Sequence, residues 1–237
     1  MKKSVIGGII LGMCFMSNGV QGTEISKIDR LLELQPGLSQ SELLVSIDET
    51  ARTMNISREE VIEISLSELE SAIEDTEKEM RQLRGGSSGN KKLGTALNKG
   101  DIFYTPSSTL GIPHGHVGIY YAFNRIVESI PETGVRNISY VGRNVEPNAV
   151  MQSVSTTQAK RNAAANWANS RVGIDGYSYN FATNRQTAHT GAKNCSKLVW
   201  SAYLLNAGID IDRNGGTGVY PLDIRDSNLT RTYQTIR

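Results

Sequence analysis

The sequence predicts an α+β protein, an α-helical hairpin followed by a domain built on an antiparallel sheet, and three observations carry that prediction. No glycine falls between Gly37 and Gly85, and over that stretch apolar residues recur at three and four residues, the period of an amphipathic helix. Beyond the tract Gly85-Gly86-Ser87-Ser88-Gly89-Asn90 the pattern changes to short apolar runs bounded by turn residues, as strands are. Helical spacing then returns twice, over 157–170 and from Cys195 onward. Hairpins and helices mixed in this way argue α+β.

Taken in order, residues 1–22 read as a secretory signal. Met1-Lys2-Lys3 is a short basic start, Val5 to Met16 an apolar core, and Val20-Gln21-Gly22 a cleavage region. The core is too short and too rich in glycine for a comfortable membrane span. A retained anchor is the lesser reading. Leu11-Gly12-Met13-Cys14 only loosely resembles a lipoprotein box, because Met13 is large for the residue before the cleavage point. The expected location is secreted or in the cell envelope. Removal of the signal leaves Cys195 as the only cysteine, so no intramolecular disulfide can form in that oxidising compartment.

Residues 23–84 form the acidic α-helical region. Ser39-Gln40-Ser41-Glu42 is a capping-box pattern, with Leu43, Leu44, Ile47, Ala51 and Met54 on one face behind it. Ser57-Arg58-Glu59-Glu60 is a second one. The helix that it starts carries Ile62, Leu66, Leu69, Ile73, Thr76, Met80 and Leu83 at alternating spacings of four and three, as in a heptad seam. A seam this short packs on the preceding helix as a hairpin more readily than on another chain. The acidic polar face argues against membrane insertion.

Residues 85–94 read as a Gly/Ser linker. In the domain over 95–237, Asp101-Ile102-Phe103-Tyr104-Thr105 is a strand after a Gly100 turn. Val117–Tyr121 and Ile126–Ile130 form a hairpin around Asn124-Arg125. Thr157 to Ser170 is helical, and Tyr177 to Phe181 is an aromatic loop or short strand. Asn194 is a good N-cap for the Cys195 helix, and Ala207-Gly208 is its C-terminus.

The charge is divided unevenly along the chain. Residues 24–84 hold fifteen acidic against seven basic residues, a net −8, whereas 85–237 carry +7. Opposite fields suggest different partners, or each other. One expectation is that the helices dock over the basic part and shield the thiol until a target displaces them. The basic part lacks a Lys/Arg stripe interleaved with aromatics, which argues against nucleic acid. It is suited instead to anionic wall polymers or a membrane surface.

A thiol in the first turn of a helix faces unpaired N–H groups and the positive end of the dipole, both of which favour the thiolate. The candidate partner is His116, in Pro113-His114-Gly115-His116-Val117-Gly118-Ile119-Tyr120. Gly115 and Gly118 keep its surroundings slim enough for a substrate backbone to approach. Cysteine and histidine together perform acyl transfer: the imidazole holds the thiolate as an ion pair and then protonates the leaving amine. Such a histidine needs a third group to orient it. Glu128, twelve residues on in the return strand, can sit beside it; Glu132 or a backbone carbonyl are alternatives. The Cys195 N–H supplies one oxyanion donor, and Tyr177 or Tyr179 is a candidate for a second. His114, Tyr177 and Tyr179 are the candidate substrate-binding residues.

Gly115-His116-Val117-Gly118-Ile119-Tyr120, with a polar residue twelve positions after the histidine, resembles the NlpC-type cell-wall peptidases of the papain-like superfamily. Here Cys195 follows His116 by 79 residues, whereas the cysteine helix comes first in the standard members. That order is similar to the circularly permuted branch, the YiiX- and YaeF-like amidases. Gly100-Asp101-Ile102, Tyr177-Ser178-Tyr179-Asn180-Phe181, Cys195-Ser196-Lys197-Leu198-Val199-Trp200 and Pro221-Leu222-Asp223-Ile224 resemble further pieces of that branch in the expected order, over about residues 95–228. The resemblance implies a permuted papain-like fold with Cys195 as nucleophile, His116 as general base and Glu128 as orienting residue. Ser178 stands where the branch often has Asp, Asn194 where an aromatic is common, and Lys197 where an acid is usual. These departures leave substrate choice open between cell-wall peptide and an acyl lipid; a non-catalytic wall-binding module is the opposing reading.

No cofactor and no metal are expected. His114, His116, His189 and Cys195 could supply four zinc ligands. However, His-x-His aligns its side chains only on a regular strand, and Pro113 and Gly115 disfavour one there. Asp101 and Asp223 read as turn or cap residues. The glycines at 215, 216 and 218 lead into a loop and not a helix, so no phosphate cradle is present.

Overall fold

The computed structural model of the protein describes residues 17–83 and 91–237. Most of the signal-like segment, Cys14 included, and the tract Gly85–Asn90 lie outside the described residues. The chain begins with α1 (Ser17–Glu33), α2 (Gln40–Met54) and α3 (Arg58–Leu83). In place of the expected hairpin there are three helices, with α3 packed against both others. The additional helix follows from an apolar stripe ahead of the Pro36-Gly37 break: Ile28, Leu31 and Leu34 are all buried. Both capping boxes form; the Ser39 N–H donates to Glu42 at 3.0 Å and the Ser57 N–H to Glu60 at 2.7 Å. Along the α3 seam Ile62, Leu69, Ile73 and Thr76 are buried. The Thr76 hydroxyl is accommodated because it donates to the Ala72 carbonyl at 2.8 Å.

The second part follows as β1 (Lys91–Lys92), β2 (Ile102–Thr105), β3 (Ser108–Thr109), β4 (Ile112–Pro113), β5 (His116–Ala122), β6 (Arg125–Ile130), β7 (Gly134–Ser139), β8 (Asn144–Val145) and β9 (Val150–Val154). It continues with α4 (Gln158–Ser170), α5 (Cys195–Ala207), α6 (Pro221–Arg225) and β10 (Thr230–Thr235). Six strands form one antiparallel sheet in the order β10-β9-β2-β5-β6-β7. The segment Tyr177–Phe181 is a loop. Lys91-Lys92, expected in the linker, instead pairs with β8.

Side chains alternate across the sheet. Ile102 and Tyr104 of β2, Val117 and Ile119 of β5 and Val127 of β6 face the main core, beneath α4 and α5. Phe103, Tyr120 and Ile126 face a smaller cluster with Met151 on the other side.

The N-terminal helices belong to the main core. Leu31, Leu43, Ile62 and Leu69 join the same buried cluster as Leu198 and Val199 of α5. Polar anchors fix the contact: the Glu68 carboxylate accepts the N–H groups of Thr217 and Gly218 at 3.0 and 3.2 Å. Gln35 Oε1 accepts those of Phe181 and Ala182 at 2.8 and 3.0 Å. Glu79 accepts from the Tyr104 hydroxyl at 2.6 Å and pairs with Arg225. The opposite charges of the two parts therefore meet in part within the molecule. Among the described residues no helix is long and apolar enough to cross a membrane.

Candidate active site

Cys195 opens α5, and its position is fixed by the residue before it. The Asn194 side chain caps the helix by accepting the Lys197 N–H at 2.9 Å, while its own amide donates to the Asn180 carbonyl at 2.9 Å. Gly208 ends the helix in the left-handed region, at φ 64°. The preceding loop is tied to the sheet, because the Ser129 hydroxyl of β6 donates to the Lys193 carbonyl at 2.6 Å. Lys193 itself is buried against Asp175. The helix start is thus held against the hairpin that carries His116 and Glu128.

His116 and Glu128 meet as expected. The His116 Nε2–H donates to Glu128 Oε2 at 2.7 Å, both groups being buried. A carboxylate only accepts, so the bond fixes the proton on Nε2 and leaves the lone pair on Nδ1. The other carboxylate oxygen accepts two N–H groups of Arg136, at 2.9 and 2.6 Å. Arg143 Nε lies 3.5 Å from Oε2. Burial works against an ionised Glu128, but the His116 N–H and the guanidiniums of Arg143 and Arg136 outweigh it and hold the carboxyl well below its usual range. Sequence reasoning missed both arginines. The signal for Arg136 is the β6–β7 hairpin, whose register sets it directly opposite Glu128; Arg143 lies on the loop beyond and has no such pattern.

Cys195 is 1% exposed. The backbone N–H groups of Val117 and Ser196 lie against its thiol, so it meets β5 at the residue after His116. Among the described contacts there is no direct hydrogen bond between thiol and imidazole. The expected resting thiolate is not what this environment favours. Burial pushes the thiol up to about 11, and the N–H groups of Val117 and Ser196, with Arg143, offset it only in part. Burial, and next Arg143, lower the His116 imidazole below its ordinary value. The resting pair is therefore neutral thiol and neutral imidazole.

Beside His116 is a cavity of about 500 Å³ lined in part by Ser107, Thr109, His114, His116, Tyr177 and Tyr179, and Cys195 does not line it. All three candidate substrate-binding residues reach it. His114 is no base, however. Its Nδ1–H donates to the Gly115 carbonyl at 2.5 Å, its Nε2 accepts from Thr109 at 2.6 Å, and burial lowers it to about 4. Residues of the N-terminal helices do not line this cavity. They brace its wall instead: a side chain at Gly37 would meet the Tyr179 ring at 2.9 Å. The helices thus buttress the wall of the cavity without lining it.

The glycines around His116 serve the protein's own packing and not an approaching substrate. A Cβ at Gly118 would lie 2.4 Å from the Phe103 ring, and one at Gly115, whose φ is +72°, would lie 2.6 Å from Tyr104. The four potential zinc ligands are dispersed. His189 bonds Ser201 at 2.8 Å and lies against Trp200, away from the pair. No group of three or more His, Cys, Asp or Glu among the described residues is arranged to hold a metal ion. Asp101 caps a turn by accepting the Asn98 N–H at 2.8 Å, and Asp223 is gripped by Arg213 at 3.0 Å.

No family model matches the chain. No solved structure matches it. It is 46% identical over 212 residues to the uncharacterized protein YycO of Bacillus subtilis (strain 168), an alignment that covers 88% of this chain and 86% of that protein. A likeness of that extent places the chain in the YycO family.

Proposed function

We propose that the protein is an exported cysteine hydrolase of permuted papain-like fold that cleaves an amide bond, with cell-wall peptide as its substrate. One observation carries the reading: the imidazole whose Nε2–H is committed to Glu128 keeps a free Nδ1 lone pair, one residue from the backbone N–H that touches the Cys195 thiol. In the reaction, Nδ1 of His116 takes the thiol proton as sulfur attacks the amide carbonyl. The Cys195 backbone N–H, in the first turn of α5, faces the developing oxyanion. The imidazolium, stabilised by Glu128, protonates the leaving amine, and water then hydrolyses the thioester. Because the resting pair is neutral, this proton transfer accompanies substrate binding and does not precede it. The hydroxyl-rich cavity favours a peptide over an acyl chain. Release of new amine termini from purified cell-wall peptide by the wild type, and none by Cys195→Ala, is the expected result; equal release by both would refute the reading.

A non-catalytic wall-binding module is the second reading, favoured by the burial and raised pKa of the thiol. It predicts retention on wall material without any turnover.

A further inference from the structure

We propose that Arg143 is the receptor for a substrate carboxylate beside the Cys195–His116 pair. The inference rests on the hydrolase reading for the word substrate, but its geometry stands apart from turnover. Arg143 follows the 3-10 turn Tyr140–Gly142, where its backbone N–H donates to the Tyr140 carbonyl at 3.0 Å and fixes its place on the loop. Its guanidinium reaches the wall of the 500 Å³ cavity that His116 also lines. The side chain is only 19% exposed, and its Nε is buried with no hydrogen-bond partner. Among the described residues the guanidinium makes no hydrogen bond at all. The 3.5 Å to Glu128 Oε2 allows attraction but lies outside hydrogen-bond geometry.

Counting charges shows what is missing. Glu128 contributes one negative charge, and Arg136 already matches it through two N–H groups on Oε1, while His116 occupies Oε2. Arg143 is thus a second guanidinium on a single carboxylate, attracted to it at 3.5 Å without a hydrogen bond, at the edge of a cavity. A guanidinium mostly withdrawn from water, without a hydrogen bond and sharing its one nearby carboxylate, suits an arriving anion. The planar fork of a guanidinium matches a carboxylate in two parallel hydrogen bonds. Within the Glu128–Arg136–Arg143 cluster the surplus is one positive charge, which matches a monoanion, and Glu132 on the cavity wall offsets it, which disfavours a dianion such as phosphate. Occupancy would also remove the positive charge that opposes protonation of His116, so that the anion which fits the site would assist the proton transfer from Cys195.

Histidine-labelled protein, followed by the imidazole resonances of His116, tests this with two small probes. N-acetylglycine presents a carboxylate and N-acetylglycinamide is its neutral counterpart. The expected result is binding of the acid at least about tenfold tighter than the amide, lost in Arg143→Gln and partly retained in Arg143→Lys. Equal binding of acid and amide, no binding of either, or an acid preference that survives Arg143→Gln would overturn the proposal. Tighter binding of inorganic phosphate than of the acid would overturn the choice of a carboxylate. If Arg143→Gln does not fold, the acid–amide comparison on the wild type decides alone. Since nothing here requires turnover, failure of the hydrolase reading leaves this result interpretable, and the reverse also holds.

Discussion

The imidazole of His116 and the carboxylate of Glu128 are joined across adjacent strands by a buried hydrogen bond of 2.7 Å. That bond selects the tautomer whose free nitrogen is Nδ1, so replacing the carboxylate by an amide should disturb function more than fold shape. Glu128→Gln is expected to lower kcat by about 10²- to 10⁴-fold. It should also leave the partners Arg136 and Arg143 without their counter-charge, at a cost of about 3 kcal/mol in stability. Steady-state kinetics and urea unfolding check the two parts separately. Unchanged kcat would remove Glu128 from the site.

Gly118 should be intolerant of any side chain for a reason unconnected with substrate. A methyl group there would press on the Phe103 ring, and the expected destabilisation of Gly118→Ala is about 1–3 kcal/mol. Denaturant midpoints measure it. Gly111, whose added Cβ would meet nothing within 4 Å, serves as the contrasting position, although its φ of +87° brings a cost of about 1 kcal/mol of its own.

Glu68 should behave as a keystone of the helical region. Its carboxylate accepts two backbone N–H groups and the Thr217 hydroxyl. Glu68→Ala leaves the two backbone N–H groups unpaired and should cost about 2–3 kcal/mol. Because α1 to α3 share the main core, the wild type should unfold in a single transition by both far-ultraviolet and tryptophan signals. Separate transitions would show that the helices are an independent body.

The contribution of Asp223 and Asp212 to stability should fall as pH rises between about 4 and 7, opposite in sign to that of His114, His116 and His189, whose imidazoles burial lowers. Burial raises Asp223 to about 7, with Asp212 adding to the shift, and raises Asp212 to about 6, with Asp210 adding to it against the pull of Arg185. A raised carboxyl keeps its proton in the folded state after the unfolded chain has released it. Its contribution is therefore full below the unfolded value and is lost as pH passes the folded one. The slope approaches about 1.4 kcal/mol per pH unit for each group so shifted. Thermal melts across that window should show the stability difference between the wild type and Asp223→Asn shrinking as pH rises.

How much of this was legible beforehand differs by element. The caps at Ser39, Ser57 and Asn194 depend on residues within three positions of each other, and local spacing is what a sequence exposes. That Glu128 lies on the strand beside His116 was legible from the hairpin, but the register was not, because a bulge between Tyr120 and Ala122 shifts it. Arg143 was not, because a loop residue's partner depends on where the chain returns. The thiol's state was misread because helix-start N–H groups were weighed without the burial that α5 imposes, and burial dominates. The role of Gly115 and Gly118 was misread because Tyr104 and Phe103 become their neighbours only when β2 pairs with β5.

The central claim is that Cys195 forms a thioester with the help of His116. Brief reaction with p-nitrophenyl acetate, an acid quench and peptide mass mapping test it most directly. The account predicts an acetyl group on Cys195 that forms and then hydrolyses in the wild type, and forms at least about 100-fold more slowly in His116→Ala. Acetylation at the same rate in both proteins, or confined to lysines such as Lys197, would contradict it.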